Sequence, residues 1–169
     1  LLDPCELSHL GRMSSRVVMS AMTRGFAAPG HLATEQMAAY YGRRAEDGVG
    51  LILSEGTIID KTADGYNNVP HMETAAQAES WRPVVERVQA AGGKIYSQLW
   101  HCGRISHSDY TGGVPPVSST NRAAEGHNRQ NDKPFGTPRA LGVDEMTKIS
   151  AMYCRAAENA LGVGFDGIQ

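Results

Sequence analysis

The feature that most constrains this chain is the alternation of short apolar runs with segments of helical period. Four runs read as buried strands: Arg16–Met22 (RVVMSAM), Gly50–Thr57 (GLILSEGT), Lys94–Trp100 (KIYSQLW) and Gly164–Gln169 (GFDGIQ). Leu51-Ile52-Leu53 is apolar on both faces, as expected in a sheet covered on both sides. Three helical patterns lie between the runs. Thr34 can cap a helix that carries Met37, Ala38, Tyr41 and Ala45 on one face and stops near Gly48. Trp81, Val84, Val85, Val88 and Ala91 recur at helical spacing before the stop Gly92-Gly93. Thr74 with Gln77 makes a capping box, but Pro83 belongs in a first turn, which favours a start at Ser80. The last helix is expected over Asp144–Leu161, with Met146, Ile149, Tyr153, Ala156, Ala157 and Ala160 inward. The order βαβαβαβ implies an α/β fold with parallel strands and right-handed crossovers.

One stretch breaks the pattern. Residues 101–142 show no period and are rich in Gly, Pro, Ser and Asn, and a loop that long is usually functional or disordered. It follows the third strand, so it lies at the strand C-terminal face, where α/β proteins keep their chemistry. Composition excludes other settings. With 41% hydrophobic residues and a net charge of −2 in 169 residues, the chain is neither disordered nor a basic nucleic-acid binder. No run reaches the roughly 18 apolar residues of a membrane helix. Three cysteines (Cys5, Cys102, Cys154) without a CxxC suit a reducing cytoplasm rather than a disulfide framework.

Several motifs reduce to ordinary structure. Gly162, Gly164 and Gly167 match G-x-G-x-x-G, but there a helix ends and a strand begins, the reverse of a dinucleotide loop. His101, Cys102 and His107 lack metal-ligand spacing, so no metal site is expected. Ser106, His107 and Asp109 are too close in sequence for a catalytic triad. Polar residues at the strand ends carry more weight. Thr23 closes the first strand, Gly56 and Thr57 the second, and Gln98 sits near the end of the third. Gln98 can pair in a plane with an imide-like ligand edge, and Gly56 permits close approach to the backbone.

At these residues the sequence resembles the Old Yellow Enzyme family of FMN-dependent ene reductases. The resemblance rests on RVVMSAMTR (Arg16–Arg24), YGRRAEDGVGLILSEGT (Tyr41–Thr57), GYNNVP (Gly65–Pro70), GGKIYSQLWHCGRISH (Gly92–His107), PFGTPRAL (Pro134–Leu141) and GFDG (Gly164–Gly167). It implies a (β/α)₈ TIM barrel, of which this chain supplies the first four strands and three helices. It also implies FMN at the C-terminal face. Ala21, Met22 and Thr23 would line the isoalloxazine ring, Gly56 would meet it through the backbone, and Gln98 would pair with its pyrimidine edge. Thr23 would tune the flavin through a hydroxyl near the C4 carbonyl and N5, and Tyr66 and Trp100 would line the substrate pocket. Ala21 stands where many members have Pro. The implied reaction takes hydride from NADPH or NADH and delivers it to the β-carbon of an alkene conjugated to a carbonyl or nitro group.

The family's substrate-oxygen pair (His/His or His/Asn) and its Tyr proton donor belong to a motif beyond GFDGIQ. The chain is therefore expected to be the N-terminal half of a flavin barrel, needing its C-terminal half for turnover, with open strand edges that leave room for an oligomer. TIM barrels rarely have fewer than about 200 residues. Two alternatives stay open: a non-catalytic half-barrel acting as a binding or self-associating module, and the N-terminal barrel of a larger Fe–S flavoprotein.

Overall fold

The computed structural model describes residues 1–8 and 11–169. An antiparallel hairpin, β1 (Cys5–Leu7) and β2 (Gly11–Met13), precedes β3 (Val18–Met19). Then follow α1 (Glu35–Glu46), β4 (Leu51–Ile58), α2 (Ala75–Ser80), α3 (Arg82–Ala90) and β5 (Lys94–Trp100). The segment after β5 contains β6 (Val117–Ser118), β7 (His127–Asn128), β8 (Lys133–Pro134) and β9 (Arg139–Ala140). The chain closes with α4 (Val143–Gly162) and β10 (Gly167–Ile168). The main sheet has the order β10-β5-β4-β3, and its neighbouring strands are all parallel. Sequential parallel strands, each joined through a helical layer, form the wall of a partial (β/α)₈ barrel.

The helix starts follow their caps. The Thr34 hydroxyl accepts from the Met37 N–H at the head of α1. The ambiguous second start resolves into two helices, because both signals operate. Thr74 and Gln77 form a full capping box on α2, and Pro83 sits in the first turn of α3, with Trp81 as the joint between them. Trp81 is fully buried with Tyr41, Met37, Val84, Val85, Val88, Ile52 and Ile95, so the core lies between the outer sheet face and the helices.

Four expectations need correction. The first ladder ends at Met19 rather than Met22: its partner β4 bulges against β5 between Leu53 and Gly56, just beyond the last β3 pair, Met19 with Ile52. The last strand begins at Gly167 rather than Gly164, since Gly164 turns at φ +100°. The third run is not buried on both sides: β5 alternates, with Ile95, Ser97 and Leu99 buried against the helices and Tyr96, Gln98 and Trp100 half open on the concave side, whereas β4 is buried at every residue but Leu53. In α4 only Ala156 and Ala160 are buried, while Met146 is 49% exposed. The N-terminal half of that helix faces the 101–142 segment rather than the sheet. That segment is itself ordered by two short ladders, β6 with β9 and β7 with β8.

Candidate functional site

The site is built around one extra residue in β4. Leu53 pairs with Tyr96 and Gly56 with Gln98, so three steps on β4 match two on β5. Ser54 and Glu55 fill the bulge, and their backbone and side chains must find partners outside the regular ladder. The Ser54 hydroxyl accepts the Gln98 N–H at 3.1 Å and donates to the Glu55 carbonyl at 2.9 Å. The Glu55 N–H donates to the Tyr41 hydroxyl at 2.8 Å, and that hydroxyl donates to the Glu55 carboxylate at 3.3 Å. Burial, and then the Glu55 charge, push the Tyr41 phenol well above its usual range, so it remains a donor. The Glu55 carboxylate is fully buried and receives Arg24 at 2.8 Å. The Arg24 guanidinium also lies 3.5 Å over the Tyr40 ring. This network ties the segment carrying Thr23 to the strand carrying Gly56. Sequence reasoning passed over Arg24 and Glu55, although a carboxylate inside LILSEGT was a signal, since a buried charge requires a partner.

On the concave side, register places Gly56, Gln98 and Trp100 together. A methyl group on Gly56 would strike the Trp100 ring, so glycine is what lets the indole lie against β4. Trp100 meets Tyr66 with ring centroids 4.7 Å apart. Tyr66 in turn shares a cleft of about 120 Å³ with Thr23, Arg24, Gly25, Asn67 and Gln130. The Gln98 amide donates to the Gln169 side chain at 3.0 Å, across to the strand-end position of β10. The structure thus brings together Thr23, Tyr66, Trp100, Gly56 and Gln98 along one rim at the strand C-terminal ends. Ala21 is half-buried and Met22 is 47% exposed, on the same segment but away from these contacts. Thr57 turns the other way and is buried, its hydroxyl donating to the Glu55 carbonyl.

The remaining candidates have local partners. The Ser106 hydroxyl donates to the Asp64 carbonyl, and the His107 Nδ1 accepts from the Asp109 N–H. The His101 Nδ1 accepts from the Gly103 N–H at 3.0 Å, and burial holds its imidazole below the usual range. Burial, then the charge of Asp64, raise the Cys102 thiol far above its ordinary value, leaving it an inert core group. A separate apolar cavity of about 240 Å³ lies between the 101–142 segment and α4, with Val114, Val117, Leu141, Ile149 and Met152 in its wall.

Parallel strands, helical crossovers and a polar rim at the strand C-terminal ends define a site of the TIM-barrel kind. The family model described as NADH:flavin oxidoreductase / NADH oxidase matches residues 1–169, and the chain belongs to that family. It is 38% identical to 12-oxophytodienoate reductase 7 of Oryza sativa subsp. japonica over all of this chain and 44% of that protein. Against 12-oxophytodienoate reductase 1 of the same plant it is 36% identical, over all of this chain and 43% of the relative. Among solved structures, the Old Yellow Enzyme homologue from Zymomonas mobilis superposes with a TM-score of 0.93 at 39% identity, covering 100% of this chain and 47% of that one. Morphinone reductase in complex with tetrahydroNAD gives 0.91 at 39% identity, covering 99% of this chain and 48% of the other. The chain therefore spans a little under half the length of each of these relatives.

Proposed function

We propose that this chain is the N-terminal half of a single FMN-binding TIM-barrel domain, and that the whole protein is an NADH- or NADPH-dependent ene reductase acting on α,β-unsaturated carbonyl or nitro compounds. The single observation that carries the reading is the convergence of Thr23, Gly56, Gln98, Tyr66 and Trp100 on one rim, within a chain of this family. These residues fit a flavin. The concave face offers neutral donors and acceptors, and the Arg24 charge beside it is already neutralised by Glu55. When bound, FMN supplies hydride transfer between the nicotinamide and the alkene.

The chain's own residues do the positioning. Gln98 offers two donors and one acceptor in a plane, suited to an imide edge. Gly56 gives access to the backbone, and Thr23 donates from its hydroxyl toward a carbonyl and tunes the ring. Ala21 and Met22 line the ring's edge. Tyr66 and Trp100 form an aromatic wall that excludes water from the alkene. The C-terminal half of the barrel supplies the groups that hold the substrate oxygen and the phosphate, so this half alone is inactive. Among the described residues no helix is long and apolar enough to cross a membrane, and the unpaired cysteines favour a cytoplasmic setting.

The test is purification of the full-length protein followed by flavin and turnover assays. The expected result is a yellow protein that oxidises NADH or NADPH only when an enone or nitroalkene is supplied. Gln98→Ala should lose flavin on gel filtration, and Thr23→Ala should shift the flavin reduction potential. A colourless, flavin-free and soluble oligomer would overturn the reading.

A further inference from the structure

The loops that leave β3 and β4 meet at a group of side chains with no part in the rim above. His31 and His71 stack with ring centroids 3.7 Å apart and an interplanar angle of 20°. The His71 Nε2 stands 3.3 Å from the Asp64 Oδ2. One donor atom from each of the three residues lies within 4.8 Å of the others. We infer that His31, Asp64 and His71 form a binding site for one divalent transition-metal ion of the zinc class, joining the loop after β3 to the loop after β4.

Three observations carry it. The His31 Nδ1 lies 2.9 Å from the Val69 carbonyl, which can only accept, so Nδ1 holds the proton and the lone pair is on Nε2. Such an outer hydrogen bond is how metal-binding imidazoles are oriented. Asp64 spends Oδ1 on the N–H groups of Gly65 and Tyr66, at 2.7 and 3.1 Å, which aims Oδ2 at the histidines. His71 is 2% exposed, and its Nε2 has no hydrogen-bond partner among the described residues. A buried imidazole nitrogen that makes no hydrogen bond, set 3.3 Å from a carboxylate oxygen and beside a second imidazole, is a donor set that a cation can join.

Two imidazoles and one carboxylate suit zinc with a fourth position open, rather than the all-oxygen shells of magnesium or calcium. Zinc bonds of about 2.0–2.1 Å require the donors to draw together, so the rings must leave their stack on binding. His31 has room for this, being half-buried on a loop at φ 61°.

The protein in its native form, stripped with a chelator and then titrated with zinc, should bind one ion per chain and melt at a higher temperature. Cobalt in its place should give the visible bands of a four- or five-coordinate site. His31→Gln, at the half-buried position, should weaken zinc more than about 100-fold, since outer partners alone are worth about 10–100-fold. Cys154→Ser, which removes an exposed thiol as a competing ligand, should leave binding intact. His71→Gln should act like His31→Gln; if it does not fold, the His31 variant decides. Absence of stoichiometric zinc in the native protein would overturn the proposal, as would full affinity in His31→Gln or loss of binding in Cys154→Ser.

Discussion

Along β5, the residues that face the helices and those that face the barrel axis do different work. Ile95, Ser97 and Leu99 are buried beneath α3 and α4, while Tyr96, Gln98 and Trp100 stay half open on the concave side. The outer face is where burial holds the sheet to its helices. The inner face carries polar and aromatic groups, which under the proposed function would meet a ligand and the rest of a barrel. One strand can serve both ends because its side chains alternate with period two.

The comparison yields predictions of decreasing size. The largest effect is expected at the seam between the faces. Arg24→Ala leaves the Glu55 carboxylate buried without its cation, which should cost about 3–5 kcal/mol in chemical denaturation. Glu55→Gln in the same background should recover part of that loss, and no recovery would break the assignment of the ion pair. On the outer face, Ile95→Ala should cost about 2–5 kcal/mol. On the inner face, Gln98→Ala should change stability by less than about 0.5 kcal/mol while flavin retention falls. Equal stability costs for Ile95→Ala and Gln98→Ala would collapse the distinction between the faces.

The smallest effect concerns the head of α4, away from both faces. The Glu145 carboxyl is held down at about 2, first by Arg139 and then by the Gly142 N–H. A depressed folded value means that its contribution is complete above the ordinary carboxylate range and is lost as pH falls toward about 2. Amide protection at the first turn of α4, taken relative to the intrinsic exchange rate at each pH, should therefore fall across that window, and Glu145→Gln should abolish the dependence.

Much of the architecture was legible because it depends on local patterns. The caps at Thr34 and Thr74 and the position of Pro83 all act within a few residues of themselves, whereas KIYSQLW read only as a buried run and its alternation came from the structure. Of the proposed rim residues, Thr23, Gly56 and Gln98 stood out at strand ends, whereas Tyr66 and Trp100 were marked only by the family resemblance. What could not be read depends on distant partners. The pairing of Arg24 with Glu55, and the meeting of His31, Asp64 and His71, arise only when two loops are brought over the same strand ends. The exposure of Met146 was equally hidden, since helical period shows which face is apolar but not what the face meets.

The additional residue in β4 acts on the sheet as a frameshift acts on a reading frame. Below it, Leu53 faces inward beside Tyr96; above it, Gly56 faces inward beside Gln98, although the spacing of three would otherwise put them on opposite sides. Deleting Ser54 alone would merge the two frames into one regular ladder: Gly56 would still face inward opposite Gln98 and Thr57 would still face the helices, but the bulge that seats Ser54 and Glu55 would be lost. Loss of one residue at the bulge should therefore keep the two faces, a single insertion or deletion in the regular part of the strand should exchange them downstream, and the 101–142 segment can change length without altering which side of the wall any strand residue occupies.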